Sequence, residues 1–324
     1  MLIAILLLSV GFVVLIVGGE LLVRGAVRIA ERAGMSQLLI GLTIVGFGTS
    51  APELVASIEA ARAGSPGIAW GNIVGSNIAN SLLILGAASV ILPVAVPRGP
   101  LWRDGGLALI MTAVLWYVAV NGGITVAIGS GFLAILAGYL IYAYRAEQTQ
   151  PVGASAVHEK AEALEAADTQ LHLEQPMWRS ALVLLAGIVL ILLGGRWLVN
   201  GAVDLATMIG MSEAVIGLTV IAIGTSLPEM VTSVIAAYKG ASAVALGNVL
   251  GSNIFNLLLI GGVTAVIAPG SIPVEIASFG LPLLLATSVL LLIFAATGRK
   301  ISRGEGVVLL VVYFGQLVYN VVVV

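Results

Sequence analysis

The chain has 324 residues, of which 60% are hydrophobic and 9% charged, where soluble domains carry about 45–50% and about 25%. A water-soluble globule is excluded by that balance, and the formal net charge of -2 argues against a nucleic-acid partner. No cysteine is present, so disulfides and thiolate metal sites are excluded too.

Apolar runs of about 20 residues, the length a helix needs to cross a bilayer, recur from end to end. They do not alternate in and out, which argues against a membrane barrel. The first run, MLIAILLLSVGFVVLIVGG, lacks a basic start and a clear cleavage site and reads as a membrane helix, not a signal peptide. In chain order the predicted spans lie near residues 2–32, 37–62, 67–93, 103–121 and 124–145, then 178–208, 213–238, 243–268, 274–297 and 304–323. Several are long enough to tilt or to end in the interface. Between the two sets, residues 146–177 hold Glu147, Glu159, Lys160, Glu162, Glu165, Asp168 and Glu174. This stretch reads as a solvated linker, with His158 and His172 in it.

The two sets are copies. Glu229 minus Glu53 is 176, and the same offset aligns GGELLVRGAV with GGRWLVNGAV, GMSQLLIGLT with GMSEAVIGLT, and GNIVGSNIAN with GNVLGSNIFN. Matched Gly, Asn, Ser, Pro and Glu do not arise from apolar composition alone. An odd number of spans per copy makes the second enter the membrane from the opposite side. The expected fold is therefore an all-α membrane protein of ten transmembrane helices, arranged as two inverted five-helix repeats with broken helices at the motifs described next. The organisation is 1–145 first repeat, 146–177 cytoplasmic linker loop, 178–324 second repeat. Arg28, Arg32, Arg98, Arg103, Arg145, Lys160, Arg179, Lys239, Arg299, Lys300 and Arg303 fall at the odd-to-even connections, and Arg62 is nearly alone on the other side. That bias predicts a multi-pass protein of the plasma or inner membrane with both termini outside.

Within each repeat one span carries a broken motif, GFGTSAPELVAS from Gly46 to Ser57 and AIGTSLPEMVTS from Ala222 to Ser233. A carboxylate at membrane depth costs about 3 kcal/mol or more and is by default functional. Pro52 has no N–H for the Gly48 carbonyl, and Pro228 none for Gly224. Carbonyls freed at that depth must be buried in protein or line a cavity. With the hydroxyls of Thr49, Ser50, Thr225 and Ser226 and the carboxylates of Glu53 and Glu229, they form a set of hard oxygens that suits calcium, and also sodium. The alternative is a capping box, Ser50 as N-cap and Glu53 three residues later, repeated as Ser226 and Glu229. A mid-span cap needs no full charge, and the two readings can coexist because a helix N-terminus also favours a carboxylate.

In the following span Asn72, Ser76 and Asn80 recur every four residues on one helix face, as do Asn248, Ser252 and Asn256. Ser76, Asn80, Ser252 and Asn256 read as ligands. For Asn72 and Asn248 both a ligand role and interhelical glue stand, and Asn77 and Asn253 read as glue or helix-end partners. GFGTS is no phosphate loop, since no lysine follows it. Glu20 and Arg24 are spaced as a structural helix pair, and Asp204 and Glu213 read as solvated. An intramembrane aspartyl protease needs paired aspartates, which neither motif offers, so the chain is not expected to be an enzyme.

At these residues the chain resembles the cation/calcium antiporter superfamily, in particular its prokaryotic sodium/calcium exchanger branch. The resemblance covers both GTSxPE stretches, both GNxxGSNxxN stretches, the ten spans and the central loop. It implies alternating-access exchange of calcium for sodium at a site between the repeats. It further implies calcium on Glu53 and Glu229 with the carbonyls of Thr49 and Thr225. Sodium falls to Ser50, Ser226, Ser76, Ser252, Gly46 and Ala222, and Asn80 and Asn256 fill the last pocket position. Some relatives have an aspartate at one of those last positions, whereas this chain has Asn at both. The short loop lacks the large regulatory domains of animal exchangers. Two ionised glutamates match one calcium or two sodium ions, and the three sodium ions usual in the family would leave one positive charge. No cofactor, nucleic acid or obligate protein partner is expected beyond these cargo ions and the lipid bilayer. The alternatives on the same fold are a proton/calcium or a potassium-dependent sodium/calcium exchanger, and less so a cation channel.

Overall fold

In lipid every backbone polar group must be satisfied inside its own segment, so the apolar runs fold as helices. The computed structural model describes residues 1–32, 50–96, 101–149, 177–238 and 242–322. Helix α1 is Leu2–Arg32, α2 Ala51–Arg62, α3 Pro66–Ile91, α4 Leu101–Val120 and α5 Val126–Thr149. Helix α6 is Met177–Ile209, α7 Glu213–Thr225 and α8 Leu227–Tyr238. Helix α9 begins as Ser242–Ile254, passes a π-helical turn at Phe255–Ile260 and ends as Gly261–Ile267. Helix α10 is Ile276–Gly298 and α11 is Arg303–Val322.

Among the described residues seven helices are long and apolar enough to cross a membrane, and α7 with α8 makes an eighth, bent by 49°. Their boundaries follow the predicted spans closely. Helix α5 runs to Thr149, a little beyond the expected end of the first repeat at 145. Residues 150–176 of the linker, with both histidines, lie outside the described residues, as do Gly46, Gly48 and Thr49, and its last residue, Met177, opens α6. Leu6, Val13, Tyr117, Ile141, Leu185 and Val311 are large, apolar and exposed, as expected of faces turned to lipid. Helices α3 and α9 are instead buried, with Trp70, Ile73, Val74, Leu82, Leu250, Ile254 and Leu258 in the core.

Helices α1 and α6 lie antiparallel along a glycine seam. Gly11, Gly18 and Gly25 recur every seven residues on α1, and Gly187, Gly194 and Gly201 stand at the 176 offset on α6. A methyl at Gly18 would come 2.6 Å from the Ile191 nitrogen, and one at Gly194 2.6 Å from the Leu15 nitrogen. Lipid tails are as apolar as leucine, so helices associate in the bilayer through close packing, and small residues permit it. Helix α3 meets α7 in the same way. A methyl at Gly71 would lie 2.8 Å from the Gly217 Cα, and one at Gly75 2.6 Å from the Leu218 carbonyl oxygen.

Two short β contacts tie the halves together. Strand β1, Val94–Ala95, pairs antiparallel with β2, Lys300–Ile301, in the register Val94 to Ile301 and Ala95 to Lys300. At the other end of α4, Ile124 pairs with Gly270 through two N···O distances of 2.8 and 2.9 Å. The 176 offset carries Val94 onto Gly270 and Ile124 onto Lys300, so related segments pair at opposite ends of one helix.

The expected Glu20–Arg24 pair forms. Glu213 departs from expectation, since it accepts a hydrogen bond of 3.0 Å from the Ser65 hydroxyl. The cause is the close approach of α3 to α7, where Gly67 packs against Glu213 and Ala214.

Candidate ion site

The same break occurs in both repeats. Ser50 precedes α2 with φ -88° and ψ 6°, and Ser226 separates α7 from α8 with φ -86° and ψ 7°. Pro52 and Pro228 then take the second position of the new helix, where a missing N–H leaves nothing unsatisfied. Glu53 and Glu229 follow in the first turn, close to the positive end of the helix dipole. Both are buried, 1% and 2% exposed.

The side chain of Ser50 makes no cap hydrogen bond, so the capping-box alternative is not realised there. The Glu53 carboxylate instead reaches the other repeat: the Ser226 hydroxyl donates to its Oε1 at 3.2 Å. The Ser252 hydroxyl lies 3.5 Å from Glu229 Oε1.

Each glutamate is held from behind by an asparagine. Asn72 Nδ2 donates to the Glu53 carbonyl at 3.1 Å and to the Ser57 hydroxyl at 3.0 Å. Asn248 Nδ2 donates to the Glu229 carbonyl at 3.1 Å and to the Ser233 hydroxyl at 2.8 Å. Of the two readings open for these asparagines, their amide nitrogens realise interhelical glue. The Asn72 oxygen is engaged as well, accepting from Ser76 at 3.3 Å and Thr225 at 3.0 Å. Sequence reasoning passed over Ser57 and Ser233. The signal was present, because each lies four residues after its glutamate and the two stand at the repeat offset.

Other expected residues take more specific places. The Thr225 hydroxyl also lies 3.1 Å from the Ile221 carbonyl oxygen, so its single proton is shared between acceptors within the protein. The Ala222 carbonyl accepts the Ser226 N–H at 3.2 Å, and a methyl on Gly75 would press on the Ala222 side chain. Asn80 and Asn256 are buried at equivalent points of two π-helical turns, Ala79–Ile84 and Phe255–Ile260. Such turns widen the helix and recur at functional positions. Asn80 Nδ2 donates to Asn253 Oδ1 at 3.1 Å across the repeats, which gives Asn253 the glue role read for it. Gly46 and Thr49 fall outside the described residues.

Among the described residues no three His, Cys, Asp or Glu side chains cluster. What the two motifs offer is a pair of buried carboxylates amid neutral hydroxyl, amide and carbonyl oxygens. That donor set favours hard cations over soft transition metals.

The family profile described as sodium/calcium exchanger protein matches residues 3–145 and 179–322. The chain is 34% identical over 339 residues to sodium/calcium exchanger MaX1 of Methanosarcina acetivorans, covering 97% of each chain. It is 33% identical over 313 residues to inner membrane protein YrbG of Escherichia coli, covering 95% of this chain and 94% of the relative. Its fold is similar to solved structures of the sodium-calcium exchanger NCX_Mj. One, soaked with sodium and strontium, has a TM-score of 0.63 and 28% identity over 98% of both chains.

Proposed function

This chain belongs to the sodium/calcium exchanger protein family, and from that premise we propose that it exchanges calcium for sodium across a membrane by alternating access. The exchange takes place at one site between two inverted five-helix repeats, residues 1–145 and 178–324, joined by a cytoplasmic linker. Both termini lie outside a plasma or inner membrane. The family is one of exchangers, not enzymes.

The observation that carries a shared site is the hydrogen bond from Ser226 of the second motif to Glu53 of the first. Calcium takes Glu53 and Glu229 together with the carbonyls of Thr49 and Thr225. The engaged hydroxyl of Thr225 supports a carbonyl role for that residue. Sodium takes Ser50, Ser226, Ser76, Ser252 and the carbonyls of Gly46 and Ala222, with Asn80 and Asn256 completing the pocket. Two carboxylates neutralise one calcium or two sodium ions, so the two cargoes compete for the same charge. A pocket left at two negative charges in low dielectric resists closure, so only a filled pocket switches sides readily.

The inverted arrangement is supported by the related β contacts at the two ends of α4. Alternating access is supported by unequal packing of equal residues. Gly19 and Gly195 correspond by the repeat, yet both face α2, one against Pro52 and the other against Val55. Val231, the counterpart of Val55, is 53% exposed. A structure midway between the two facing states would cover α2 and α8 equally.

Uptake of radiolabelled calcium into proteoliposomes under a sodium gradient tests the reading. Uptake should follow the sodium gradient and need neither potassium nor a pH gradient. Uptake that required potassium would indicate potassium-dependent exchange. Uptake driven by a pH gradient without sodium would indicate proton exchange, and calcium flux with no trans cation would indicate a channel.

A further inference from the structure

We propose that Asn253 and Ser81 are positioning residues that hold the Asn80 amide with its oxygen toward the transported cation, and that Asn256 has no equivalent holder. The inference rests on the reading that Asn80 and Asn256 line the ion pocket. An asparagine amide has one oxygen face and one NH2 face of nearly the same shape. Only the oxygen face can bind a cation, so a flipped amide turns a ligand into a repelling donor.

The first amide is fixed by a relay. Asn80 Nδ2 donates to Asn253 Oδ1 at 3.1 Å, and Asn253 Nδ2 donates to the Ser81 hydroxyl at 2.8 Å. Asn80 Oδ1 then stands buried with no hydrogen-bond partner among the described residues. Each link fixes the orientation of the one before it. If Asn253 accepts from Asn80, its own NH2 needs an acceptor, and Ser81 supplies one.

The second repeat breaks the relay at one position. The 176 offset carries Asn80 to Asn256, Asn77 to Asn253, and Ser81 to Leu257. Leucine accepts no hydrogen bond. Asn77 turns its NH2 back to the Ile73 carbonyl of its own helix at 2.6 Å. Asn77 Oδ1 and both amide atoms of Asn256 are buried without a hydrogen-bond partner among the described residues. Two asparagines that match in sequence therefore differ in function: Asn80 is a preset ligand, and Asn256 takes its orientation from the cation that arrives.

The test is calcium titration calorimetry on purified full-length variants, with thermal unfolding followed in parallel. Asn80→Ala should weaken calcium binding about tenfold, the factor for one net ligand-type hydrogen bond. Asn253→Leu should weaken it by a similar factor and raise the KM for calcium in exchange without lowering the maximal rate. Asn77→Leu should change it by less than about twofold, although it removes an equally buried amide. Ser81→Ala should weaken binding a few-fold, while Ser81→Thr, which keeps the hydroxyl, restores it. If Asn80→Ala leaves affinity unchanged, the pocket assignment fails and the positioning role fails with it. If Asn80→Ala weakens binding but Asn253→Leu does not, or if Asn77→Leu weakens it equally, the positioning role alone is overturned. Should Asn253→Leu not fold, the Ser81 pair decides, and an unaltered affinity in Ser81→Ala overturns the proposal.

Discussion

The two glutamate cradles are alike in what holds them and unlike in what covers them. Behind Glu53 and Glu229 equivalent asparagines, Asn72 and Asn248, bridge the glutamate carbonyl and a serine four residues on, at 3.1 Å to the carbonyl in both. In front, α2 is packed against Gly19 and Gly195 of the α1–α6 pair, while Val231 on α8 is 53% exposed. The difference teaches which parts must match. An ion bound from both sides needs matched anchors behind its two carboxylates, and a path that opens on one side at a time needs unequal covers.

The largest effect expected is on the shared charge. Glu53→Gln and Glu229→Gln should each abolish calcium exchange while leaving folded protein. Each removes one of two carboxylates from a dehydrated divalent-ion site, a loss on the order of 3 kcal/mol or more, beyond about a hundredfold in affinity. Calcium flux in proteoliposomes measures it. Retention of near-normal flux by either folded variant would make the cradles unequal in chemistry and break the comparison.

The next effect falls on the α1–α6 seam, whose glycines Gly19 and Gly195 cover α2. Gly18→Leu puts side-chain atoms onto the backbone of α6, where even a methyl would lie 2.6 Å from Ile191. Rigid backbone cannot yield there, so destabilisation should exceed about 3 kcal/mol. Gly138→Leu on α5, where a methyl meets nothing within 4 Å, should change stability by less than about 0.5 kcal/mol. Thermal unfolding in detergent compares them, and equal melting temperatures would remove the close-packed seam from the account.

Much of this was legible in the sequence. The 176 offset, the Pro-Glu breaks and the oxygen-rich face of the next span needed only residue types and spacing. Ser57 and Ser233 carried a signal in their spacing from the glutamates, but they look like ordinary small residues on a helix face until a partner asparagine is placed beside them. Two things were not legible, for separate reasons. The bond from Ser226 to Glu53 joins residues 173 apart, and no local pattern encodes which motif meets which. The unequal covers cannot be read at all, because Val55 and Val231 are the same residue type. What separates them is the conformation adopted.

A smaller effect sharpens the likeness of the anchors. Asn72→Ala and Asn248→Ala each remove the two bonds donated to the glutamate carbonyl and the serine, and Asn72→Ala also removes the two that its oxygen accepts; losing the donor to the glutamate carbonyl costs about 1–3 kcal/mol. The losses in calcium affinity should agree within about threefold if the cradles are equivalent, as calorimetry on both variants would show. A loss confined to one of them would mean that only one cradle sets the ion.

The smallest effect separates the two cargoes. Ser76→Ala and Ser252→Ala remove neutral oxygens, which matter less to calcium, a cation that takes 6–8 oxygens and favours carboxylates. Each should raise the sodium concentration needed to compete by a few-fold and leave calcium affinity within about twofold. Calorimetry with calcium followed by sodium competition reads both numbers. Weakened calcium binding with unaltered sodium competition would reverse the proposed division of ligands.

The central claim is that two repeated motifs build one ion site. Calcium titration of the purified protein without sodium tests it most directly, because the stoichiometry counts sites regardless of affinity. One calcium per chain, displaced by sodium and lost on either Glu53→Gln or Glu229→Gln, is the result expected. Two calcium ions per chain, with one surviving each substitution, would mean that each motif binds its own ion and would contradict the account.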